Sequence, residues 1–224
     1  MAEQKNKQDA MNVEEALSQS EVFIAKNKKT IIAFIVAVIV VIVGVVIYKN
    51  FISDPMERKA SEALYRGEQY FEAEQYELAL NGDSLGYKGF IKIADEFAGT
   101  DAGNLAKAYA GLSHAQLGNY KEAVEALNQF DGDDLVIAPA VMGNLGNCYA
   151  HLGDLEKAAS TLMTAAEMAD AHSMSPVYLI QAGEIYEKLG KKEDAVKAYM
   201  LVKDKYFNSY QAMDIDKYIE RASK

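Results

Sequence analysis

Three stretches of this chain repeat one another in phase, and the repetition constrains the fold more than any other feature. GLSHAQLGNYKEA at 111–123 returns as GNCYAHLGDLEKA at 146–158 and as GEIYEKLGKKEDA at 183–195. The opening glycines Gly111, Gly146 and Gly183 recur with the turn glycines Gly118, Gly153 and Gly190, and with Ala123, Ala158 and Ala195. All three landmarks keep spacings of 35 and 37 residues. Self-similarity at a period of roughly 34 residues marks a helical solenoid, in which each helix pair buries its apolar face by stacking on the next. The fold class is therefore all-α.

Each landmark has a physical role. Glycine inside a helix costs about 1 kcal/mol against alanine, so Gly111, Gly146 and Gly183 predict places where a partner helix comes close. Gly118, Gly153 and Gly190 follow the first helix of each pair, where a left-handed residue satisfies the last carbonyls. The bulky Leu127, Leu162 and Tyr199 are expected to fill the gap between repeats. The pattern resembles the tetratricopeptide repeat over most of residues 58–224, with departures: Lys107, Met142 and Leu179 stand at the consensus tryptophan, and His114 at a consensus tyrosine.

The expected repeats cover about 104–137, 139–172 and 176–207, with an earlier one at 60–97 that keeps phase through Gly67, Tyr70, Tyr76 and Ala79. Tyr70 to His114 spans 44 residues, so about nine are inserted, mostly in the turn-rich 81–86. A helix over 87–97 then completes the first pair. About 209–223 is expected to cap the far end, with Ile215, Tyr218, Ile219 and Ala222 on one side. The solenoid thus has three to four repeats and a capping helix within 53–224.

Upstream lies a different kind of segment. Ile31 to Ile47 holds 17 residues without a polar side chain, 13 of them Ile or Val. With Thr30 and Tyr48 the run would make roughly 28 Å of helix, close to the hydrocarbon thickness of a bilayer. In lipid a helix is enforced despite the β-branching, because every amide must pair within the segment. The run exceeds the ~7–15 residues of a secretory apolar region, and no small-x-small cleavage site follows. An uncleaved signal anchor over 30–52 is expected. Lys26, Lys28 and Lys29 cluster before it, against a looser Lys49, Arg58, Lys59 and Arg66 after it. That cluster points to a cytoplasmic N-terminal tail (1–29) and an outside C-terminal domain. Asn12 and Glu15 have capping-box spacing, so the tail is either a short helix or disordered.

Composition divides along the same line. The chain has 224 residues, a formal charge of −10 and one cysteine. Lys, Arg, Asp and Glu cancel over 1–29, while residues 50–224 carry 17 basic against 28 acidic side chains. An acidic solenoid is a poor nucleic-acid binder and favours basic or extended unfolded segments. A lone Cys148 makes no internal disulfide. No phosphate loop, dinucleotide fingerprint, paired cysteines or nucleophile elbow occurs, so no catalytic residue, cofactor or metal is expected. His114 has a packing explanation, His172 is expected in a loop, and Cys148 reads as a buried thiol. Asp131, Asp133 and Asp134 look like the start of a calcium loop without its remainder, and read as a solvated turn.

Function must then come from surface. Stacked helix pairs leave a concave face lined by their first helices. The register puts Tyr109, Leu112, Gln116, Asn144, Asn147, His151, Gln181, Glu184 and Lys188 on it. Asn144 and Asn147 offer both donor and acceptor and suit gripping a peptide backbone. Lysines and arginines of a carboxylate clamp are missing.

A cytoplasmic tail, one anchor and a divergent acidic tetratricopeptide domain resemble the YfgM-like family of bacterial inner-membrane proteins. The resemblance implies a single-pass protein with a periplasmic domain, ancillary to the Sec translocon. It would act beside a periplasmic folding factor such as the isomerase PpiD, or on nascent and extended polypeptides. The alternative is a scaffold for another envelope complex, or a self-associating protein without clients.

Overall fold

The computed structural model describes residues 2–224, with side chains from Phe23 onward. Two compact units divide at Pro55 and Met56. In the first, helix α1 (Ala2–Tyr48) is continuous and is followed by five residues of π-helix, Lys49–Ser53. Asn12 therefore lies inside a helix and does not start one; its side chain and that of Glu15 are outside the described residues. Along the apolar run nothing is buried: Phe34 is 70% exposed and Val40 65%. Left in water, each such side chain would forgo about 1.5–3 kcal/mol of transfer free energy. The helix is long and apolar enough to cross a membrane. At its flanks Asn27 and Asn50 turn their amides onto their own helix, donating to the carbonyls of Phe23 and Val46.

The second unit is all helical: α2 (Asp54–Glu72, its first turn shared with the boundary), α3 (Tyr76–Asn81), α4 (Phe90–Glu96), α5 (Asp101–Gln116), α6 (Tyr120–Leu127), α7 (Ile137–His151), α8 (Leu155–Ala169), α9 (Ser175–Lys188), α10 (Lys192–Lys205) and α11 (Ile215–Ser223). Pairs α5–α6, α7–α8 and α9–α10 are the three repeats in phase. Each first helix ends on the expected glycine in left-handed conformation, with φ of 79° at Gly118, 82° at Gly153 and 71° at Gly190.

The mid-helix glycines explain the bulky residues better than the sequence did. A Cβ on Gly111 would lie 2.5 Å from Cγ of Leu127, and one on Gly146 2.8 Å from Cγ of Leu162. Gly183 lies in the same way under the ring of Tyr199. Each bulky residue thus seats on the glycine of its own pair, locking first helix to second, while it also packs with the following elements, Leu127 with Val141 and Leu145 and Tyr199 with Ile215. Leu127, Leu162 and Tyr199 are almost fully buried.

In the first repeat that seat is rebuilt. Tyr87 and Phe90 crowd over Gly67, because the insertion has pushed the packing residues down the chain. The helix expected over 87–97 begins only at Phe90, since Gly86 and Gly89 both take positive φ. Asp83 organises the loop: its carboxylate accepts from the Tyr70 hydroxyl at 2.6 Å and from the N–H groups of Leu85 and Tyr87 at 2.8 and 2.9 Å. Arg66 pairs with it at 2.6 Å. The Tyr70 hydrogen bond, with help from those N–H groups and Arg66, holds the Asp83 carboxyl below its ordinary value.

Carboxylates also start two of the first helices. Glu57, on α2, accepts from the N–H groups of Asp101 and Ala102 at 2.8 and 2.9 Å, capping α5 from 44 residues away. Asp134 accepts from Val136 and Ala138 at 2.8 and 3.1 Å and from Ile137. The anticipated solvated turn is at Asp134 a helix-capping site, where the helix dipole favours negative charge. At the far end Ile215 and Ala222 of α11 bury against Tyr199 and Val202. Arg221 makes a two-pronged pair with Glu187 of α9 at 2.8 and 2.7 Å.

Two outcomes follow from this packing. Gly111→Val should destabilise the chain by about 1–3 kcal/mol through overpacking, and its combination with Leu127→Ala should lose less than the two losses summed; thermal unfolding in detergent measures both. Asp83 has a folded pKa below its unfolded one. Its contribution is complete above the unfolded value near ~4 and disappears as pH falls through the folded value. Asp83→Asn should therefore flatten the acid limb of the stability–pH curve.

Candidate partner-binding groove

Counted from the mid-helix glycine of each repeat, the expected groove residues fall at three offsets: two before it (Tyr109, Asn144, Gln181), one after it (Leu112, Asn147, Glu184) and five after it (Gln116, His151, Lys188). All nine are at least partly exposed, as a face must be. The same offsets from Gly67 give Tyr65, Glu68 and Glu72, which the sequence reading left out. The Tyr109 ring stacks on Phe90 at 5.0 Å and meets Phe71 edge-on at 5.3 Å; burial first, then the negative charge of Glu68 and Glu72, pushes the pKa of its hydroxyl up to about 12. The first repeat therefore contributes to the same face, and its contribution is acidic.

The polar residues differ in what they have free. Asn144 donates one amide N–H to the carbonyl of Ala140 at 2.9 Å and keeps a second N–H to offer. Its oxygen remains as an acceptor. Asn147 makes no side-chain hydrogen bond among the described residues. Oε1 of Gln181 is buried and unpartnered, a costly state for an amide oxygen. The ring of His151 stacks on Tyr120, with centroids 4.2 Å apart and planes at 4°, so one of its faces is already used. Glu184, Lys188 and Gln116 are exposed.

Between the first helices, one seam is closed and its neighbour open. Where α7 meets α9, the ring of Tyr178 covers Gly143 so tightly that a Cβ would overlap it. One repeat earlier, where α5 meets α7, the register replaces that pair by Val141 over Ala108. Valine is too small to do what the tyrosine does. A cavity of about 230 Å³ remains, walled by Leu105, Ala108, Tyr109, Leu112, Ala140 and Val141 and edged by Val136 and Ile137. On the loop into α7 the side chains of Leu135, Val136 and Ile137 are 72%, 65% and 41% exposed. This apolar seam includes two of the expected groove residues, Tyr109 and Leu112.

Other chemistry-bearing residues are placed elsewhere. His114 faces a second cavity of about 250 Å³ between α4, α5 and α6, among Asp95, Glu122 and Glu125. Burial lowers its pKa, against the opposing pull of Glu122 and Glu77. Cys148 is buried, and desolvation raises its thiol pKa. His172 meets Tyr206 edge-on. Among the described residues, no three His, Cys, Asp or Glu side chains gather as a metal site would require.

The seam pair was visible in principle, because Ala108 and Val141 stand 35 and 37 residues before Gly143 and Tyr178. Its signal lies in side-chain volumes compared from repeat to repeat as well as in the landmarks. The tetratricopeptide repeat profile matches residues 139–172 and 177–204. No curated protein matches the chain. The chain carries tetratricopeptide repeats in an all-helical fold, and such repeats are protein–protein interaction modules.

Proposed function

We propose that this protein is a membrane-anchored interaction module of the bacterial cell envelope, ancillary to the Sec translocon or to a periplasmic chaperone network. It holds polypeptide partners on the face of its first helices. The open apolar seam between α5 and α7 is the observation that carries the binding role: a cleft lined by Leu105, Tyr109 and Leu112, on the face such solenoids use for extended segments. The amide side chains of Asn144, Asn147 and Gln181 along the same face offer acceptors and donors to a peptide backbone. Binding is the whole of its action; the repeats supply a surface and no reacting group.

The envelope assignment draws on the apolar helix and on the resemblance to the YfgM-like family. The helix anchors the chain in the inner membrane, the lysine cluster keeps the N-terminal tail in the cytoplasm, and the solenoid works in the periplasm. A second reading, self-association or scaffolding for another envelope complex, is favoured by Phe207, Tyr210 and Met213, which stand 64%, 80% and 79% exposed beside α11.

Crosslinking in cells followed by mass spectrometry should recover Sec subunits or a periplasmic folding factor. Recovery of the chain's own copies alone would select the second reading. A phosphatase reporter fused after Lys224 should be active, as it is only outside the cytoplasm; an inactive fusion would reverse the topology.

A further inference from the structure

The groove reading leaves open what kind of segment is held, and the seam narrows it. Its cavity of about 230 Å³ is apolar and opens beside exposed Val136 and Ile137. That is room for one leucine- or phenylalanine-sized side chain, the type of anchor that dominates binding energy when it fills a pocket. The neighbouring α7–α9 seam has its own anchor in Tyr178 over Gly143. The α5–α7 seam lacks one. A partner would supply from outside what the next repeat supplies from within.

The surroundings set the second requirement. Tyr109 is at once a wall of the cavity and the neighbour of Glu68 and Glu72. Further along the face Asn144 has its oxygen and its second amide N–H to offer, and Gln181 has an unpartnered oxygen. On either side of the two repeats that wall the cavity, the first repeat puts Glu68 and Glu72 on the face and the last puts Glu184 and Lys188 there. On the first-repeat side the face therefore offers negative charge alone, and it complements a cationic segment.

We propose that the α5–α7 seam is a selective pocket for a partner polypeptide segment in which one large apolar side chain is flanked by lysine or arginine. The apolar side chain enters the cleft walled by Leu105, Ala108, Leu112 and Val141, and the cation meets Glu68 and Glu72. This rests on the groove reading above and adds to it a sequence preference.

The test uses the full chain in detergent micelles and short dye-labelled peptides in a Gly/Ser background, followed by fluorescence anisotropy. One peptide carries Leu beside two Arg, one Leu alone, one the two Arg alone, and one Leu beside two Glu. The Leu–Arg peptide should bind best, and losing its leucine should weaken binding about tenfold or more, the equivalent of one unburied side chain. The paired Ala108→Gly and Val141→Tyr variant copies the closed seam and should abolish the leucine preference. Glu68→Gln with Glu72→Gln, isosteric and at the surface, should weaken the Leu–Arg peptide about fivefold and leave the Leu-only peptide unchanged. These carboxylate variants keep the proposal testable should the seam variant fail to fold. Equal binding of all four peptides, or indifference to both sets of variants, would overturn the pocket while leaving a general peptide-binding face intact. Binding by no peptide would overturn both.

Discussion

Every repeat depends on one contact: a glycine in the first helix with a bulky side chain of the second seated on it. Helices of a pair come this close only where one of them has no Cβ, and the roughly 1 kcal/mol lost in helix propensity is recovered by burying Leu127, Leu162 or Tyr199 to near completion. The geometry of the pair then dictates the rest. It fixes where the turn glycine must reverse the chain, which alanines face inward, and how the next pair can stack. The first repeat shows how firmly the contact is required. Although an insertion shifts its register, Tyr87 and Phe90 converge on Gly67 to restore the same seat, and Asp83 holds the rerouted loop with four partners.

Features set by local chemistry were legible in the sequence. Gly118, Gly153 and Gly190 were expected to be left-handed because a helix end with that residue has few alternatives, and they are. The buried Cys148 and the loop position of His172 needed nothing beyond their own segments. Features set across distance were not legible. Glu57 caps α5 across 44 residues, and nothing near Glu57 indicates which helix its carboxylate will reach. The helix beginning at Phe90 starts later than expected because Gly86 and Gly89 take positive φ in the loop that Asp83 organises. Asn12 had the spacing of a cap, but α1 already runs through it from Ala2.

The groove face followed from register alone, so its positions could be named before their environment was known. Their chemistry could not. Asn144 has the composition of a two-way grip, yet its nearest acceptor is the carbonyl one turn back, and it donates there. Conversely, Glu68 and Glu72 gain meaning only through Tyr109, whose ionisation their charge opposes from the preceding repeat. A solenoid face is assembled from neighbours, and each of its residues takes its properties from the repeat before or after it.

The open seam has a mechanical consequence as well. In a linear array, cooperativity passes only from one repeat to the next, so the whole is no more tightly coupled than its loosest joint. The α5–α6 pair meets α7 less extensively than the α7–α8 pair meets α9, which divides the array into a block ending in α6 and a block ending in α11. A molecule wedged in the joint between them would add its binding free energy to the coupling of the blocks. The stiffness of the array would then depend on whether that joint is occupied.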